Sequence, residues 1–83
     1  MKLTHAYIAK VAARDKRIDG IDDFRSSDNQ VVVWLDPAYT WCANDGNITC
    51  MIYNVEHSEE YQDTVETFLR DLKMIEKAID HAA

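Results

Sequence analysis

Glycine and proline are scarce in this 83-residue chain: Gly20, Gly46 and Pro37 are all it has. That excludes a flexible linker or a low-complexity composition. Cysteine is nearly as rare, at two, so the chain is no disulfide scaffold. No apolar run approaches the ~20 residues of a membrane span. The start, MKLTHAYIAKVAARDKR, has no uninterrupted apolar core of signal-peptide length, since Lys10 and Arg14 break it. A cytoplasmic location with reduced thiols is therefore expected. Bases are the scarce charge. Nine Lys and Arg stand against fifteen Asp and Glu, a net charge of −6. Phosphate contacts need clustered cations, so a general binder of nucleic acid or anionic membranes is disfavoured.

What is present is a globular composition, 47% hydrophobic and 29% charged, sized for a single small domain over residues 1–83. THAYIAKVAARDKRIDG reads as a helix. Thr4 can cap it. Leu3, Tyr7, Ile8, Val11, Ala12 and Ile18 form one apolar stripe. Lys16 and Arg17 would occupy its last turn, and Gly20 would be the left-handed residue that ends it. IDDFRSSDNQ follows as a polar connector, with Ile21 and Phe24 as its anchors. VVVWL at 31–35 is a strand by its β-branched and aromatic content. Residues 39–43 and 48–55 read as two further extended stretches. The result is a three-stranded meander or one long hairpin bent at Pro37. Asp-Pro-Ala-Tyr suits a type I turn, which favours the meander. Val65, Phe68, Leu69, Leu72, Ile75 and Ile79 mark a closing amphipathic helix, capped by Ser58 or by Asp63. The expected fold class is α+β: an N-terminal helix, a small antiparallel β-sheet of two to three strands, and a long C-terminal helix, with both helices on one sheet face.

Little in the chain points to bond-making chemistry, and an enzyme is not expected. His5 and His81 are near the ends. His57 lies among Glu56, Glu59 and Glu60, whose charge favours imidazolium, a poor base. Cys42 and Cys50 have no neighbouring base to activate a thiolate. With His57 they match no paired zinc spacing. Asp19, Asp22, Asp23 and Asp28 lack the order of a calcium loop. No cofactor or metal is expected. The Asn47 sequon is idle in an unexported chain. WCANDGNITC reads as a hairpin tip. A three-residue Asn-Asp-Gly loop sets Cys42 opposite Ile48, and a two-residue Asp-Gly loop sets Trp41 opposite Cys50; neither register suits a disulfide.

Charge and aromatics carry the functional expectation. Glu56, Glu59, Glu60, Asp63 and Glu66 run with no base among them. A helix begun at Ser58 would place Glu59, Asp63 and Glu66 on one face. Such acids also complement a helix N-terminus, so a solvated face is the plain alternative. Trp34 and Trp41 are too many for so thin a core, and one of them on the outer sheet face would make an interface anchor.

The run Val-Trp-Leu-Asp-Pro-Ala-Tyr-Thr-Trp, followed by Asp-Thr-Val-Glu-Thr-Phe-Leu-Arg-Asp-Leu, resembles small uncharacterised proteins of bacteriophages and mobile elements. In them a Leu-x-Pro-Gly-Tyr strand end precedes a hairpin and a closing Asp-Thr-Val helix. The resemblance spans roughly residues 31–76, and Ala38 stands where the glycine is expected. It implies an accessory role in a phage or plasmid genome. The expected function is a small acidic protein-interaction module, for example an inhibitor of a host defence complex. It would bind a basic surface such as a groove built for nucleic acid, through Glu56, Glu59, Glu60, Asp63, Glu66, Trp34 and Trp41. The alternative is a structural or self-assembling protein, for instance a homodimer. Neither reading involves direct nucleic-acid or membrane contact.

Overall fold

Thr4 starts the first helix. Its backbone is extended and its hydroxyl accepts the Tyr7 N–H at 3.1 Å, opening α1 over His5–Ala12. The structure, a computed structural model, describes residues 1–23, 29–43, 46–58 and 60–82; for 41–43, 46 and 78–82 it describes the backbone only.

α1 stops short of the expected length. The Val11 carbonyl accepts both the Arg14 and Asp15 N–H groups, and the Asp15 carboxylate accepts the Arg17 N–H at 2.9 Å. A side chain that bonds its own backbone two residues on competes with helix continuation. Lys16 and Arg17 thus lie beyond the helix. Ile18–Asp23 is a strand, β1, where a helix end and a connector were expected. Gly20 lies inside that strand. Phe24 and Asp28 lie outside the described residues.

β1 runs antiparallel to β2, Gln30–Leu35, from Ile18↔Leu35 to Asp23↔Val31, with an irregularity between Ile18 and Gly20. The chain then leaves the sheet. Asp36 caps a 3-10 turn over Pro37–Tyr39, its carboxylate accepting the Ala38 N–H at 3.0 Å. Glu56 alone, among the described non-glycine residues, has a positive φ, so the turn has no need of glycine at Ala38. β3, Trp41–Ala43, and β4, Gly46–Ile48, pair as a two-stranded ribbon. β5, Cys50–Asn54, returns along β2 from Trp34↔Cys50 to Gln30↔Asn54. The sheet order is β1-β2-β5. β2 and β5 are therefore arms of one hairpin interrupted at Pro37, and the favoured meander does not form. Ribbon pairing is Trp41↔Ile48, Cys42↔Asn47 and Ala43↔Gly46, which matches neither expected register. The cause is that β2 claims the chain from Thr49 onward: the Leu35 N–H donates to the Thr49 carbonyl at 2.9 Å. Cys50 belongs to that sheet and is a free thiol. Asn44 and Asp45 lie outside the described residues.

α2 spans Val65–Ala82, and neither expected cap starts it. The Ser58 carbonyl accepts the Tyr61 and Gln62 N–H groups, closing a separate turn. The Asp63 carboxylate accepts the Asn54 N–H at 2.7 Å, so it is spent on β5. Thr64 caps instead, accepting the Thr67 N–H at 3.2 Å. The first residues of the chain pair beside this junction, with a bridge between Lys2 and Thr64.

The core lies between the sheet and the two helices. Leu3, Ile8, Val31, Val33, Phe68 and Leu72 are fully buried. Val31 and Val33 share one sheet face by the two-residue alternation of a strand, and they cluster with side chains from both helices. Burying each such side chain contributes about 1.5–3 kcal/mol. Tyr53 packs edge-on against Phe68, and its hydroxyl donates to Asp71 at 2.8 Å, tying β5 to α2. Burial pushes the Tyr53 pKa up, so the phenol keeps its proton. No described helix is long and apolar enough to cross a membrane.

Candidate functional site

Because both helices cover the face of Val31 and Val33, the opposite face of the sheet is left without a described element over it. The register writes out its contents. Gly20, Trp34 and Cys50 form one row across the three strands, and Asp22, Val32 and Ile52 form the next. Gln30 and Asn54 close the far end, joined by a side-chain hydrogen bond of 2.8 Å. Trp34 is 41% exposed and Ile52 47% exposed. The Trp34 indole N–H donates to Asp22 Oδ2 at 3.0 Å. Among the described residues the face is an apolar strip, with Val32 buried within it, one carboxylate beside its tryptophan, and no Lys or Arg on it; Arg25 lies outside the described residues. Lys10 and Arg14 fall in and after α1, and Arg70, Lys73 and Lys77 on α2.

Gly20 leaves the space beside Trp34 bare. A Cβ built there meets nothing within 4 Å, and its φ lies outside the left-handed region. Neither packing nor backbone demands glycine here. In a strand interior glycine costs roughly 0.5–1 kcal/mol relative to alanine, and valine suits a strand better still. Gly20→Val should therefore raise Tm by about 3–6 °C in a domain this small, read by calorimetry. A lowered Tm would show that the strand needs its glycine.

The expected acidic stretch does not assemble into one helix face. α2 begins at Val65, so Asp63 precedes it and Glu66 lies in its first turn. Glu56 is exposed with φ 53°, and Glu60 is exposed. Asp63 is half-buried against β5. Glu66 accepts the Met1 ammonium at 3.3 Å, and its pKa is lowered by its own backbone N–H and by that ammonium. Glu59 and the Trp41 side chain lie outside the described residues. Of the seven residues expected to bind a partner, the structure thus puts Trp34 on the open face, leaves Glu56 and Glu60 in water, and gives Asp63 and Glu66 internal partners.

His57 is exposed, and its Nδ1 accepts the Ser58 N–H at 2.8 Å. No group of three or more His, Cys, Asp or Glu among the described residues is placed to hold a metal ion. Among the described residues, two depressions flank the helices. One, of about 350 Å³, is lined by Tyr7, Lys10, Val11, Arg14 and Asp15. The other, of about 220 Å³, is lined by Ile48, Met51, Asp71, Met74 and Ile75. Sequence reasoning missed Gly20, Asp22 and Ile52 as neighbours of Trp34. The signal was the alternation of VVVWL and CMIYN, which becomes readable only when β1 is known to be a strand.

Comparison of the chain with protein-family models, curated proteins and solved structures found no match.

Proposed function

We propose that the protein is a small acidic protein-interaction module that grips a basic surface of its partner with the outer face of its sheet. One observation carries this: a sheet face clear of both helices, with Trp34 and Ile52 exposed on it and, among the described residues, a carboxylate but no base. Tryptophan anchors dominate interface energetics when a partner excludes water from them. Asp22 and the exposed Asp19 border the face along β1, and Glu56 and Glu60 add to the negative field that speeds encounter with a basic partner. The resemblance to phage accessory proteins supports placing the partner in a host complex, such as a defence complex with a groove built for nucleic acid.

Self-assembly is the second reading, and it has an observation of its own. The Leu35–Thr49 and Val55–Asn29 hydrogen bonds turn the odd-numbered residues of β5 toward β2. Cys50, Ile52 and Asn54 then direct their backbone outward, and among the described residues Asn54 alone is taken, by Asp63. That is a short open edge, available for strand pairing. The net charge of −6 works against pairing two copies.

The test is affinity capture from a host lysate with the tagged chain and three variants. Trp34→Ala and Ile52→Asp should each lose the captured protein, while Met74→Lys, on exposed α2 surface, keeps it. Capture that survives both outer-face changes would sink the proposal. Recovery of the chain's own untagged copy as the only partner would establish self-assembly instead.

A further inference from the structure

We infer that Trp34, Asp22 and Gly20 form a socket for an arginine side chain of the partner, an inference that rests on the proposed binding role of the outer sheet face. The register makes the socket. Trp34 lies directly opposite Gly20 and diagonal to Asp22, and diagonal neighbours on one face are within reach of an aromatic side chain. The indole N–H reaches Asp22 Oδ2 at 3.0 Å, which fixes the ring next to the carboxylate. The place where Gly20 would carry a side chain is open space. The result is a ledge with an aromatic wall, a carboxylate at one end and nothing filling it.

The chemistry of the walls selects the occupant. Asp22 Oδ2 holds the indole N–H, so Oδ1 remains to accept from a ligand. An aromatic face beside an uncommitted carboxylate oxygen suits a flat cation that stacks and donates at once. Guanidinium does both, because it is planar, weakly hydrated and carries a fork of N–H donors. A lysine ammonium is strongly hydrated and offers no plane to stack. Charge complementarity points the same way, since the face carries no cation among the described residues and the chain is at −6. A second copy brings the same net charge of −6, so the occupant is a basic partner.

The test uses the full chain labelled with ¹⁵N and three short probes: acetyl-Gly-Arg-Gly-amide, its lysine counterpart, and its citrulline counterpart, which keeps the shape without the charge. A Trp41→Phe sample assigns the Trp34 indole N–H. The arginine probe should shift that resonance together with the Gly20 and Asp22 amides, with a millimolar Kd. The lysine probe should bind roughly threefold more weakly, and the citrulline probe should cause no shift at Trp34. Gly20→Val fills the ledge while leaving Trp34 and Asp22 unsubstituted, and should weaken the arginine probe about tenfold while the spectrum stays folded. Asp22→Asn should do the same. Absence of a shift at Trp34, lysine or citrulline equal to arginine, or undiminished binding by Gly20→Val would each overturn the inference. The two proposals separate cleanly. A failed arginine probe with capture still lost in Trp34→Ala removes only the socket, whereas capture that ignores Trp34 removes the binding face whatever the probe does.

Discussion

Phe68→Ala should remove about half of the protein's stability or more. Phe68 is fully buried and stands where α1, α2 and β5 meet. Its ring lies edge-on to Tyr53, with centroids 5.1 Å apart at 83°, and to Tyr7 at 6.4 Å and 79°. Truncation of a core phenylalanine costs about 3–5 kcal/mol through lost transfer energy and the cavity left behind. Each edge-on aromatic pair adds roughly 0.5–1.5 kcal/mol. A chain of 83 residues has, in total, roughly 4–12 kcal/mol to lose. Both aromatic partners sit on other elements, so α1 and the sheet lose their grip on α2 together. Leu69→Ala is the comparison: Leu69 is next in sequence but 42% exposed, and should cost no more than about 1 kcal/mol. Urea unfolding at matched m-values reads both. A Phe68→Ala cost equal to that of Leu69→Ala would show that the three elements do not share one core.

The adjacency of those two residues shows how far helical spacing could be read. Val65, Phe68, Leu72 and Ile75 are buried where the period predicts them. Leu69 satisfies the same period and stays half in water, because an apolar stripe is wider than the strip of sheet it meets. VVVWL was legible as a strand from its β-branched content alone. β1 was not. IDGIDD carries three acids and a glycine, all poor strand formers, and it is a strand because β2 offers a partner, which no local signal announces. That omission hid the functional face. Asp22 read as part of an acidic loop and Gly20 as a helix end until the register set both beside Trp34. The acidic run before α2 misled in the opposite direction: its charges were visible, but their commitments to Asn54 and to the Met1 ammonium were not, since both partners are distant in sequence.

Arg17→Ala should cost about 2–3 kcal/mol at pH 7, the range for loss of charge-assisted hydrogen bonds from a mostly buried pair. The guanidinium meets the Asp15 carboxylate twice, at 2.8 and 2.6 Å, with the two side chains only 18% and 14% exposed. It also reaches Glu76 on α2 at 3.4 Å. The Arg17 side-chain hydrogen bond holds the Asp15 pKa below the ordinary carboxylate value. A carboxylate depressed by folding stabilises fully above its unfolded pKa, and that contribution is lost as pH falls through the folded value. The gap between wild type and Arg17→Ala should therefore be steady from pH 7 to about 5 and narrow below about pH 4, by urea unfolding at each pH. Arg14→Ala, an exposed cation three residues away, should change stability by less than about 0.5 kcal/mol at either pH. A gap that does not narrow in acid would mean that the side chain packs rather than pairs. The consequence reaches the binding face, because this turn sets the register of β1. The Arg17 carbonyl accepts the Asp36 N–H at 3.0 Å, just before Ile18 pairs with Leu35. A slip of one residue would turn Gly20 and Asp22 inward and carry Ile21 to the open face. Loosening the Asp15–Arg17 clamp should thus broaden the Trp34 indole resonance before global unfolding begins, since the neighbours that hold that indole are placed from this turn.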